Sequence, residues 1–138
     1  MSTNLTRTVP ENGIRGYQNT TGTTIPANTV VVRDSGDSRA VKLPAAVTDD
    51  VVGVTMVAMP SDDGIYYDVQ IRGRAICRAH GALADAARVM PTTSGRVDTW
   101  SAAGAANAAV VGTTEGTASA QDDLIVIELA GPNVVRQG

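Results

Sequence analysis

Short apolar runs, each cut off by glycine or by turn residues, constrain this chain more than any other feature. Asp50-Val-Val-Gly-Val-Thr55, Val69-Gln-Ile-Arg-Gly-Arg-Ala75, Gly95-Arg-Val97 and Asp123-Leu-Ile-Val-Ile-Glu-Leu129 are strand-length stretches rich in β-branched residues. Many short strands separated by turns predict an all-β fold rather than parallel βαβ units. The expectation is a small single-domain barrel or sandwich, with an extended N-terminal arm and at most one short helix.

Along the chain, residues 1–28 are rich in Thr, Asn, Gly and Pro with isolated apolar positions. This composition predicts an extended arm that orders against a partner. Residues 29–130 form the β-rich domain, and residues 131–138 a tail. Val30-Val31-Val32-Arg33 and Arg39-Ala-Val-Lys-Leu43 flank the turn-like Asp34-Ser-Gly-Asp-Ser38, which predicts a hairpin. Residues 51–59 are apolar on both faces, so this strand is expected to be covered twice, with a neighbouring subunit as one candidate cover. Residues 65–75 alternate well, and Ile76 breaks the alternation, which places a bulge or bend near Gly73. The helical candidate is 81–88, and a loop leading into a strand at 88–90 fits it equally. Further strands are expected at 95–100, 108–113 and 124–129. No fixed-period repeat is evident.

Composition narrows the partners. With no Phe, one Trp and three Tyr in 138 residues, the core must come from Val, Ile, Leu, Met and Ala. Small side chains bury less area each, at roughly 25 cal/mol per Å², and oligomerisation is a common remedy. The net charge is −3, Lys42 is the only lysine, and the arginines are scattered, with no basic block to track a phosphate backbone. Nucleic acid is not expected as a partner. No run approaches the roughly 20 apolar residues of a membrane-spanning helix, and Met1-Ser-Thr-Asn-Leu-Thr-Arg7 does not read as a signal peptide. The lone Cys77 excludes an intramolecular disulfide. Synthesis in a cytoplasm and no membrane partner are the expectations.

Four groups of residues carry candidate chemistry. Gly36-Asp37-Ser38 has the look of a serine-nucleophile loop, but the only histidine, His80, follows it, and a hairpin turn explains the residues better. Cys77 and His80 have metal-ligand spacing, but a structural zinc site needs about four ligands, and strand positions three apart face opposite sides. A buried Cys77 and a surface His80 are expected. The doublets Asp49-Asp50, Asp62-Asp63 and Asp122-Asp123 lack the regular spacing of a calcium loop and read as solvated turns. Arg72, Arg74 and Arg78 form either a phosphate stripe or, with Asp68 and Tyr66 on the same face, a mixed polar surface or ion pairs between subunits. No aromatic residues alternate with them for base stacking. The sequence thus nominates no catalytic, cofactor-binding or metal residues, and the chain is read as a non-enzyme without cofactors.

The order of Gly53-Val-Thr55, Val69-Gln-Ile-Arg-Gly73, Gly95-Arg-Val97, Val110-Val-Gly112 and Leu124-Ile-Val-Ile-Glu-Leu129 resembles the decoration, or cement, proteins of tailed-bacteriophage capsids. The resemblance spans roughly residues 28–130. It implies a homotrimer on the outer surface of the virion that binds between subunits of the phage major capsid protein and stabilises the shell. It carries over no catalytic residue. The alternatives are another virion component, such as a head-fibre base or a tail protein with host-surface contacts, and a trimeric β-barrel hydrolase.

Overall fold

The computed structural model describes residues 13–34, 39–101 and 108–130. Among them are ten strands and no helix, which makes the domain all-β. The first five strands are β1 (Ile14–Asn19), β2 (Val30–Arg33), β3 (Ala40–Lys42), β4 (Val51–Thr55) and β5 (Tyr67–Gln70). They close into a barrel in the order β1-β3-β2-β4-β5. The next five are β6 (Arg74–Arg78), β7 (Arg88–Pro91), β8 (Val97–Thr99), β9 (Gly112–Glu115) and β10 (Leu124–Leu129). They run β6-β10-β9-β7-β8, and a parallel bridge between Ala79 and Val97 links the two outer strands.

The second sheet repeats the first. Going round from β6 gives β6-β8-β7-β9-β10, the same circuit as β1-β3-β2-β4-β5. Pairing registers agree: Val31 lies opposite Gly53 as Val89 lies opposite Gly112. Ile14 faces Gln70 and Gly16 faces Asp68, as Arg74 faces Glu128 and Ile76 faces Val126. Hydrogen bonds outside the strands repeat too. Ile71 N–H donates to Gly13 O as Leu129 N–H does to Gly73 O, and Asp62 N–H to Asn19 O as Asp122 N–H does to Ala79 O. Ile25 bridges Met59 as Leu83 bridges Ala118. Asn28 and Ala86 hold left-handed φ angles of 59° and 57°. The expectation of no repeat is therefore corrected. Its anchors are few in sequence, chiefly Val-Val-Gly at 51–53 and 110–112 and Asp-Asp at 62–63 and 122–123.

Gly53 and Gly112 show why those anchors are glycine. A Cβ would lie 2.2 Å from the Gln70 carbonyl oxygen at the first and 2.1 Å from that of Glu128 at the second. The neighbouring backbone approaches too closely for any side chain.

Two cores result. Tyr17, Ile25, Val31, Val41, Met59, Val69 and Ile71 fill the first barrel. The second core holds Cys77, Ala79, Leu83, Val89, Val97, Val111, Ile125 and Ile127 among others, and it also takes in Val30 and Val54 from the first barrel's strands. Those two valines point out of their own barrel and seal the second, which welds the repeats into one domain. Their counterparts by register, Arg88 and Thr113, are polar and exposed.

Three local expectations change. Residues 14–19 are a strand, not part of an extended arm, because Tyr17 and Asn19 are buried and β1 pairs with both β3 and β5; residues 1–12 lie outside the described residues. The candidate helix at 81–88 is a turn that bridges Leu83 to Ala118 before entering β7. The expected strand 51–59 ends at Thr55, with Met56 and Val57 exposed. The bend expected near Gly73 is present: Gly73 adopts φ 80°, and there the chain passes from one barrel to the other.

Candidate docking surface

Among the described residues, the sequence candidates for chemistry do not assemble into a reacting site. Cys77 is fully buried in the second core, and burial pushes its thiol pKa up to about 12, far from a reactive thiolate. His80 is exposed. Asp34 N–H donates to Ala40 O across the β2–β3 connection, at 2.9 Å; residues 35–38, with Ser38, lie outside the described residues. Among the described residues no group of three or more His, Cys, Asp or Glu is placed to hold a metal ion.

The acidic doublets shape their own turns. Asp49 accepts N–H bonds from Ala45 and Ala46. Asp63 accepts from the Tyr67 hydroxyl and from Ile65 N–H, bonds that lower its pKa in that order. Asp123 accepts from Ser119 N–H and hydroxyl and from Ala120 N–H, which lower its pKa. Asp122 binds Arg96 at 2.6 Å, and this bond is the main cause of its lowered pKa.

The three arginines separate by role. Arg72 is exposed. Arg74 sits 2.9 Å from Glu115 and 3.8 Å from Glu128. Arg78 donates to the Thr29 hydroxyl and to Ser94 O, and lies 3.5 Å from Asp122. Carboxylates thus face Arg74 and Arg78, which argues against a phosphate stripe, and they are Glu115, Glu128 and Asp122 rather than the expected Asp68.

Between these two charged groups lies the feature that the sequence reading missed. Along β10, Ile125, Ile127 and Leu129 point into the core, so Leu124, Val126 and Glu128 point out. Ile76 lies directly across from Val126, and Leu124 across from Arg78. Ile76 is 50% exposed and Leu124 58%. At the margin, Met56 joins Ile76 around a groove of about 190 Å³ where the two barrels meet. The result is a bare apolar strip on an antiparallel sheet, whose solvent face would ordinarily be polar. The available signal was Leu-Ile-Val-Ile at 124–127, apolar on both faces.

No protein-family model matches the chain, and no curated protein sequence matches it. Among solved structures, the fold is similar to that of the head fiber gp8.5 N base of bacteriophage phi29. The TM-score is 0.65 at 12% sequence identity, over 85% of this chain and 92% of that one. At that identity the likeness shows a shared all-β fold.

Proposed function

We propose that this chain is a structural protein of a bacteriophage particle, seated on the outside of the head as the base of a head fibre. The observation that supports this most is the likeness to the phi29 head-fibre base over nearly the whole of both chains. The resemblance at residues 28–130 to phage decoration proteins points independently to the same location. Its mode of action is attachment, without a catalysed reaction. The buried Cys77 and the turn-bound Asp49 and Asp123 fit that reading, because these groups are engaged in holding the fold.

As in the decoration proteins it resembles, the chain acts as a homotrimer, and its partner is the phage major capsid protein. A trimer that touches several shell subunits gains from multivalency. The reading is tested by co-sedimentation of the purified chain with phage heads, alongside a nucleotide-hydrolysis screen. Saturable binding to heads without turnover is expected. Turnover abolished by substituting particular carboxylates would replace this reading with the hydrolase.

The second reading is capsid decoration, favoured by the sequence resemblance. A cement protein binds the assembled shell and not its dissociated subunits, and so stabilises the shell by mass action. A fibre base carries a fibre outward from the head, and a cement protein does not. Electron microscopy of heads with and without the bound chain separates the two, by whether fibres are lost with it.

A further inference from the structure

The two barrels close in different ways. In the first, β1 and β3 pair directly, Gln18 with Ala40 and Asn19 with Val41, and Gln18 N–H donates to Arg39 O at 2.8 Å. In the second, the corresponding strands β6 and β8 share, among the described residues, one bridge of Ala79 with Val97, beside which His80 N–H donates to Val97 O. By register Tyr17 corresponds to Cys77, and so Gln18 to Arg78. The Arg78 N–H, however, crosses to the first barrel and donates to Asn28 O at 3.2 Å. Val30 N–H donates to Gly95 O at 2.8 Å. Asn28-Thr29-Val30 is thus a strap from the first barrel, running from the end of β6 to the turn ahead of β8.

Side chains lock the strap in place. Thr29 is fully buried. Its hydroxyl accepts Arg78 Nη2 at 3.0 Å, and the same nitrogen donates to Ser94 O at 3.4 Å. Gly95 makes room for it, since a Cβ there would lie 2.2 Å from Thr29 Cγ2. Ala109 N–H ties the joint again, at 2.8 Å from Val47 O.

What each barrel takes from the other is unequal. The first core is drawn from its own strands and loops, from Tyr17 to Ile71. The second counts Val30 and Val54 among its members. With the first barrel gone, the second core loses both valines, Arg78 N–H and Gly95 O lose their partners, and the Arg78 guanidinium loses the Thr29 hydroxyl. A breached core and orphaned polar groups are both costly. With the second barrel open, the first only uncovers two outward-facing valines, and its own core stays filled. Single aliphatic side chains on a surface are ordinary in folded proteins.

We propose that the first barrel is a clasp that holds the second closed, and that the coupling runs one way. The second barrel is ordered only while the strap is seated, and the first stands without the second. The bare strip of Ile76, Val126 and Leu124 lies on β6 and β10, so its display depends on the same joint. This goes beyond the attachment reading and stands or falls separately from it.

The test is made on the full chain, with amide protection followed by NMR and the second barrel also followed by thiol labelling of Cys77. Val54→Asp strikes the joint, Ile127→Asp the second core and Met59→Asp the first. Val54→Asp and Ile127→Asp should speed Cys77 labelling at least about a hundredfold, because a carboxylate is forced into an apolar core. Both should strip protection from β6 to β10 and leave β1 to β5 protected. Met59→Asp should leave neither barrel protected. If an Asp variant of residue 54 or 127 is insoluble, its alanine counterpart is read in rising urea, where Cys77 should label while amides of β1 to β5 are still protected. Three results would overturn the proposal: Cys77 silent in Val54→Asp, loss of both barrels together in Ile127→Asp or in urea, or a protected second barrel in Met59→Asp.

Discussion

The hydroxyls of Thr55 and Thr114 do the same work in the two barrels. Thr55 Oγ1 donates to Pro26 O at 2.7 Å and accepts Thr29 N–H at 3.0 Å. Thr114 Oγ1 donates to Ala84 O at 2.6 Å and accepts Ala87 N–H at 2.8 Å. Both threonines are buried. Their own N–H groups return to Thr29 O and Ala87 O, so one side chain pins the loop ahead of β2 to β4 and the loop ahead of β7 to β9. Thr55→Val and Thr114→Val keep the shape and remove both hydrogen bonds. Each should cost about 1–3 kcal/mol by urea denaturation, because a buried donor and acceptor lose their partner. Equal stability of either variant and wild type would show that these loops are held by something else.

Gly53 and Gly112 give a sharper contrast. The added methyl of an alanine meets a backbone carbonyl at 2.2 or 2.1 Å, so a strand must move. Gly53→Ala and Gly112→Ala should each destabilise by about 3 kcal/mol, the upper end of overpacking costs. Gly64→Ala meets nothing within 4 Å and strains only a φ of +74°, which costs about 1–2 kcal/mol. Thermal melts of the three variants should rank Gly64→Ala as the mildest.

Acid should loosen the turns before it reaches the cores. Hydrogen bonds lower the pKa values of Asp63, Asp122 and Asp123 in the folded state. A lowered folded pKa means stabilisation that is present above the unfolded value, about 3.9, and lost as pH falls through the folded value. Asp122→Asn should therefore be less stable than wild type at pH 7, and the gap should close below about pH 4. Asp122 is exposed, so added salt should shrink its effect. Denaturation midpoints measured against pH, at low and high salt, check both statements. A gap that persists unchanged at low pH would contradict them.

Cys77 should be silent in the native protein. Its thiol is fully buried and its pKa is pushed up to about 12, so thiol reagents should label it only after unfolding. Rapid labelling under native conditions would show that the second core opens readily.

How much of this was legible depended on which residues carried the signal. The β class followed from β-branched runs and turn spacing, and the bend at Gly73 from the broken alternation at Ile76. Strand β1 was hidden because its inward residues are Tyr17 and Asn19, and buried Asn19 is polar. Its Nδ2 donates to Thr23 O and Met59 O, a satisfied arrangement with no hydrophobic signature. The repeat was hidden because most equivalent positions interact through backbone atoms, which leave side chains free to diverge. Asn28 and Ala86 donate the same N–H bond, to Thr55 O and Thr114 O, with different side chains. Where a side chain itself does the work, as at Gly53 and Gly112 or Thr55 and Thr114, the residue recurs. The bare strip was legible in part, since Leu-Ile-Val-Ile at 124–127 leaves no polar face, but sequence alone could not pair it with Ile76.

The most direct test of the proposed role is cryo-electron microscopy of phage particles assembled with and without the gene for this chain. The account predicts density for the paired barrels on the outside of the head, lost when the gene is deleted. Heads identical in the two preparations, or the chain found only inside the particle or away from the head, would contradict it.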